Sequence, residues 1–177
     1  RAAGVVGEVI GVARRERTLL EALRLGAVDR TGFDPAEAVR DADLVLVATP
    51  VAAIPDLLAR IAPTLPAGCV VTDVGSTKRV VMAAASVLPE HVDFIGGHPM
   101  AGSERAGVTA ARVRLFHGKT WLLTPGAARP EAVARLRAAL EAIGARVVTV
   151  DAAEHDRIVA RTSHLPHVIA AALCTAL

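Results

Sequence analysis

Short apolar runs recur along this chain, each separated from the next by a segment with helical periodicity. The runs are EVIGVA (8–13), DLVLVATP (43–50), CVVTDV (69–74), DFIGGHP (93–99), KTWLLTP (119–125) and ARVVTV (145–150). A strand that is apolar throughout must be covered on both faces, and helices between successive strands supply the cover. The intervening segments carry helix signals. RERTLLEALRLG (15–26) is amphipathic and closes on Gly26; Asp34 stands as an N-cap with Pro35 at the first helical position. VAAIPDLLARIAPTL and RPEAVARLRAALEAIG (129–144) follow the same period, and a further helix runs to about Leu88. From Asp151 the chain turns helical, with Asp151 and Glu154 spaced as a capping box. The expectation is an α/β chain with a doubly wound, mostly parallel sheet over 1–150. A helical segment follows at 151–177.

Composition excludes several classes. The chain has 177 residues, 53% of them hydrophobic, but aromatics make up only 2% and the net charge is +2. Few aromatics and dispersed arginines argue against stacking on nucleic acid, and no apolar run is long enough for a membrane span. Cys69 and Cys174 stand in apolar surroundings far apart, which reads as two buried thiols in a cytoplasmic protein. The chain opens without Met and closes inside a helical pattern, so it reads as an excerpt.

In an open α/β sheet, ligands bind outside the carboxyl ends of the strands. The polar residues there are Thr49, Asp73 to Lys78, and His98 to Glu104. A dinucleotide site usually shows a glycine-rich loop after the first strand. In GVVGEVIG the glycines precede a strand instead, so EVIGVA is expected to be the second strand of its sheet. At the end of that strand an acidic residue takes a ribose hydroxyl, whereas arginine accommodates a 2′-phosphate. Ala13, Arg14 and Arg15 stand there, which favours NADP+ over NAD+.

Within TDVGSTK, Ser76 reads either as an ordinary helix cap or, with Lys78, as a group facing the ligand crevice. In GGHPMAGSE, Gly96 and Gly97 allow a sharp turn or close approach to a ligand, and Pro99 biases His98 towards extended backbone. An imidazole so placed accepts a proton near neutral pH. AEHDRIVARTSHLPH (153–167) carries three histidines on a helical pattern broken by Pro166. His164 and His167 share a face but lack a further ligand set for zinc, and His155 reads as a polar group at a helix start.

DLVLVATP, TDVGSTK, GGHPMAGSE, LFHGKTWLLTP and EHDRIVARTSHLPH, in that order, resemble the prephenate dehydrogenase family, which includes arogenate and cyclohexadienyl dehydrogenases. The resemblance runs from about Glu8 to Leu177. It implies a Rossmann-like fold, the start of an all-helical domain at 151–177, and oxidative decarboxylation of prephenate to 4-hydroxyphenylpyruvate with hydride transfer to NAD(P)+, in tyrosine biosynthesis. By the same resemblance His98 accepts a hydrogen bond, and finally the proton, from the ring hydroxyl. Ser76 bonds to His98 or sits beside the nicotinamide, and Thr49 and Pro50 line the cofactor. Ser103 and Glu104 fall at the substrate mouth, with His164 and His167 near the substrate. The family's glycine loop would precede Arg1 and most of its helical, homodimer-forming domain would follow Leu177, so these 177 residues alone are expected to be inactive or nearly so.

Three rival readings stand beside this one. The substrate is arogenate; the chain is a non-catalytic nucleotide-binding module, against which His98 and Ser76 are intact; or it is a β-hydroxyacid type of dehydrogenase. The last requires a lysine on the helix after the sheet, and 151–177 contains none.

Overall fold

The computed structural model describes residues 4–102 and 107–175, and the strand–helix alternation expected from the sequence runs through them. In chain order the elements are β1 (Ile10–Val12), α1 (Glu16–Arg24), β2 (Arg30–Gly32), α2 (Pro35–Ala38), β3 (Leu44–Val47), α3 (Ile54–Ile61) and β4 (Val70–Asp73). They continue with α4 (Arg79–Ala84), β5 (Asp93–Pro99), β6 (Thr120–Thr124), α5 (Pro130–Ala142), β7 (Arg146–Thr149), α6 (Ala152–Val159) and α7 (Leu165–Thr175).

Five strands form one sheet in the order β3-β4-β5-β6-β7, and β1 and β2 form a separate parallel pair. All neighbours are parallel except β5 and β6. A parallel return needs a crossover, usually helical. Among the described residues between β5 and β6 the only helical piece is the short turn Val108–Ala110, and the chain comes back antiparallel. β5 is long enough to serve two neighbours: Asp93–Ile95 pairs with β4, and Gly96–Pro99 with β6. Among the described residues, β1 pairs only with β2 and β3 only with β4, so the single sheet expected from the sequence is divided there.

The alternation of strand side chains builds two cores. Val71 and Phe94 enter one, with Ile54, Leu58 and Ile61 of α3; Val70 and Ile95 enter the other, with Leu136 and Leu140 of α5. Spacings of four and three residues put the three α3 side chains on one face, where each buried aliphatic contributes about 1.5–3 kcal/mol.

The helix ends follow the sequence signals in most places. Asp34 accepts from the Ala36 amide at 3.0 Å, and Asp151 accepts from Ala153 and Glu154 at 2.9 Å each. Glu154 turns to Arg157 instead of reaching back, so only half of the capping box forms. Pro166 does not break the C-terminal helix as expected. The backbone widens into a π-helical stretch, Ala160–His164, in which the Leu165 amide donates to the Ala160 carbonyl five residues back. That change of register accommodates a residue with no N–H to give to the preceding turn. α7 exposes Leu165, Val168, Ile169 and Leu173. Cys174, on this helix, is exposed; only Cys69 is the buried thiol that the sequence suggested for both. Among the described residues no helix is long and apolar enough to cross a membrane.

Candidate functional site at the strand ends

Parallel β3, β4 and β5 finish at the same edge of the sheet. At the end of β3, the Thr49 hydroxyl is buried without a hydrogen-bond partner, and Pro50 is exposed at the start of the turn Val51–Ala53. A buried hydroxyl left without a partner is unusual in a folded protein.

Asp73 ends β4 and ties three segments together. One carboxylate oxygen accepts from the Gly97 amide at 3.0 Å; the other accepts from the Gly75 amide at 2.7 Å and the Lys78 ammonium at 2.5 Å. Both side chains of this ion pair are fully buried. Lys78 therefore does not face a ligand crevice, contrary to the sequence reading: its length lets it fold back beneath the turn to the carboxylate. Burial pulls its pKa below the ordinary lysine value, while Asp73 and Asp156 act in the opposite direction. Gly96 and Gly97 do not turn the chain but lie inside β5 without positive φ. A Cβ on Gly97 would stand 2.4 Å from the Asp73 carbonyl oxygen and 2.9 Å from the Thr72 hydroxyl. The glycine admits protein backbone.

His98 lies one residue before the end of β5, half-buried in extended backbone as Pro99 requires. Its Nδ1 is 2.9 Å from Nε2 of His155, a fully buried residue on the inner face of α6. The other nitrogen of His155 is 2.8 Å from Asp156. The Asp156 carboxylate also accepts from the amides of Lys78 (2.6 Å) and Arg79 (3.0 Å), capping α4 from 77–78 residues away. This is the capping duty the sequence offered to Ser76. Ser76 instead is exposed in the β4–α4 turn, with no hydrogen bond to His98.

The electrostatics follow from these contacts. Burial, then the neighbouring His155, Lys78 and His164, push the His98 pKa down to about 4, with Asp156 opposing. For Asp156, burial acts upward, but the two α4 amides and His155 outweigh it and the pKa is lowered. At neutral pH His98 is therefore an uncharged base.

The other expected site residues are dispersed. His164 is half-buried in the π-helical stretch and acts electrostatically on His98, while His167 is exposed on α7. Ala13 is half-buried beyond β1, with Arg14 and Arg15 exposed at the start of α1. Ser103 and Glu104 lie outside the described residues. The residues missed by sequence reasoning are His155 and Asp156. Their signal was positional: His155 is four residues after the Asp151 cap and four before buried Val159, hence on the inward face.

The sequence model of the family described as prephenate dehydrogenase, nucleotide-binding domain, matches residues 1–149, and that of its dimerization domain matches 151–177. The chain is 38% identical to the prephenate dehydrogenase of Bacillus subtilis (strain 168) over 168 residues, 93% of this chain and 45% of that protein. It superposes on the crystal structure of prephenate dehydrogenase from Aquifex aeolicus in complex with hydroxyphenyl propionate and NAD+ with a TM-score of 0.92. Identity there is 29%, covering 100% of this chain and 62% of the other. Synechocystis arogenate dehydrogenase is 37% identical, with a TM-score of 0.85 over 94% of this chain and 59% of the other. The chain spans about half the length of the curated relatives it matches.

Proposed function

The chain belongs to the prephenate dehydrogenase family, and from that premise we propose that the full-length protein oxidatively decarboxylates prephenate to 4-hydroxyphenylpyruvate, with NAD(P)+ as hydride acceptor, in tyrosine biosynthesis. The observation that carries the reading is the uncharged imidazole of His98, held at the edge of the sheet where three parallel strands end. His98 takes the hydrogen bond of the substrate's ring hydroxyl. As the hydride leaves the carbon bearing that hydroxyl, the O–H becomes strongly acidic, so a base with a pKa of about 4 suffices to hold the proton. Loss of carbon dioxide supplies the electron pair that aromatises the ring, and the proton returns to the phenol oxygen of the product.

The nicotinamide, when bound, supplies the two-electron acceptor. The groups of this chain that fit it are the unpartnered Thr49 hydroxyl, Pro50 and the exposed Ser76, all at the strand ends. The exposed Arg14 and Arg15, without an acidic residue beside Ala13, support NADP+ as the preferred form. Ser103, Glu104, His164 and His167 are assigned to the substrate side.

The second reading is arogenate as the substrate, favoured by the 37% identity to the Synechocystis enzyme. Side-by-side rates with the two substrates separate them. A cytoplasmic homodimer is proposed for the full-length protein, supported by the dimerization-domain match and the apolar surface of α7. The 177-residue segment alone is expected to be inactive or nearly so; robust prephenate-dependent cofactor reduction by it would overturn that expectation. For the catalytic assignment, the test is His98→Asn in the full-length protein. Turnover is expected to fall about 10²-fold or more with the fold and cofactor binding retained. Turnover close to wild type would refute the role, and a non-catalytic nucleotide-binding module would follow if the wild type also lacked turnover.

A further inference from the structure

We infer that His155, backed by Asp156, is a positioning residue that fixes the tautomer and orientation of His98, placing the hydrogen on Nδ1 and leaving Nε2 as the proton acceptor. The inference rests on the reading of His98 as the base. Three groups form a continuous chain: His98 Nδ1 to His155 Nε2 at 2.9 Å, then His155 Nδ1 to the Asp156 carboxylate at 2.8 Å. An ionised carboxylate can only accept, so the hydrogen at that end is on His155 Nδ1. In a neutral His155 the other nitrogen, Nε2, is then an acceptor. His98 Nδ1 must donate to it, and no described residue hydrogen-bonds the remaining nitrogen of His98.

One other proton placement satisfies the same distances. A doubly protonated His155 would donate in both directions and force the hydrogen of neutral His98 onto Nε2, which abolishes it as a base there. The surroundings oppose that placement. His155 is fully buried, where an additional charge is costly. The Asp156 carboxylate is already shared with the two amides that open α4. Lys78 on the β4–α4 turn brings a buried positive charge to the cluster, and His164 on the π-helical stretch acts on His98 with the same sign when protonated.

The arrangement follows a general rule: the hydrogen bond made by one ring nitrogen decides what the other can do. When His98 gains a proton on Nε2, its Nδ1–H remains on His155. The added charge polarises the chain towards Asp156 without any proton having to leave.

The test uses the full-length protein with ¹⁵N-labelled histidine. At neutral pH, nitrogen NMR is expected to report His98 protonated at Nδ1 and bare at Nε2, the signal being assigned by its loss in His98→Asn. His155→Leu is expected to lower kcat about 10–100-fold with KM within about threefold, and to scramble the His98 tautomer. His155→Gln, whose amide oxygen can accept from Nδ1, is expected to recover most of the rate and the Nδ1–H signal. A wild-type His98 carrying its hydrogen on Nε2 overturns the inference, and this measurement decides even if His155→Leu fails to fold. So does a folded His155→Leu protein with wild-type kcat while His98→Asn is inactive. If His98→Asn itself retains turnover, the base reading fails, whichever tautomer is observed.

Discussion

Replacing Lys78 by Met removes one charge from a buried ion pair and leaves the other in place. Asp73 would keep its two amide donors, from Gly75 and Gly97, but lose the cation that balances it. Both side chains are 0% exposed, so water cannot substitute. Breaking a buried pair on one side costs about 3–5 kcal/mol. The double variant Asp73→Asn/Lys78→Met carries no charge. The Asn oxygen can retain one amide bond, and the other amide is left poorly paired at about 1–3 kcal/mol. The order of stability is therefore wild type, then the double variant, then the single one. An exposed control, Arg60→Ala, breaks a pair with Asp34 whose members are 59% and 49% exposed, and is expected to cost less than about 1 kcal/mol. Urea unfolding of the three variants checks this; with a slope of about 2 kcal/mol/M, Lys78→Met lowers the midpoint by roughly 1.5–2.5 M. If Lys78→Met unfolds within about 0.5 M of wild type, or the double variant is no more stable than the single, the argument from uncompensated charge is wrong.

Acid should weaken the fold through His98. Its folded pKa of about 4 lies below the ordinary 6.5, so the unfolded chain binds the proton first, and stability present above about pH 6.5 is lost as the pH falls towards 4. The full shift corresponds to roughly 3 kcal/mol, and half-exposure of the ring reduces this to about 1–2 kcal/mol. His98→Asn should flatten that part of the stability–pH curve, and an unchanged slope would refute the assignment. Gly97→Ala must push a Cβ against backbone that cannot retreat, costing about 1–3 kcal/mol or more in thermal or urea unfolding. Gly102→Ala, with no atom of the other described residues within 4 Å of its Cβ position, is expected to stay within about 0.5 kcal/mol.

What was legible in the sequence was local in origin. Apolar runs become strands because their neighbours on both faces are helices, and Asp34 and Asp151 cap helices because their carboxylates reach amides two or three residues on. The extended placement of His98 near a strand end was legible for the same reason, since Pro99 acts on it from the adjacent position. The short β2 was not anticipated, because RTG has no apolar run to mark it. For Lys78 the sequence offered a place facing the ligand crevice, and for Gly97 a sharp turn or close approach to a ligand; both instead serve Asp73, a residue 5 and 24 positions away. No periodicity encodes such a meeting. The histidine pair is further removed still, 57 residues apart in sequence and joined only when α6 folds back against the sheet.

That last contact bears on how the two matched regions depend on each other. His98 belongs to the part matched by the nucleotide-binding model, and His155 and Asp156 to the part matched by the dimerization model. The boundary in sequence is therefore not a boundary in the site. Asp156 makes the junction twice, through His155 to His98 and directly to the first amides of α4, just beyond the turn that carries Ser76. A displacement of α6 would loosen the orientation of His98 and uncap α4 together, since one carboxylate serves both. On the opposite side, Asp73 anchors the same two pieces, holding β5 through Gly97 and the β4–α4 turn through Gly75 and Lys78. Two buried or partly buried carboxylates thus brace His98: Asp73, at the end of β4, holds its strand, and Asp156, on α6, holds its ring through His155. Under the proposed role of His98, such double support would keep the proton acceptor at a fixed angle as a substrate hydroxyl approached, where a small misplacement is costly to rate.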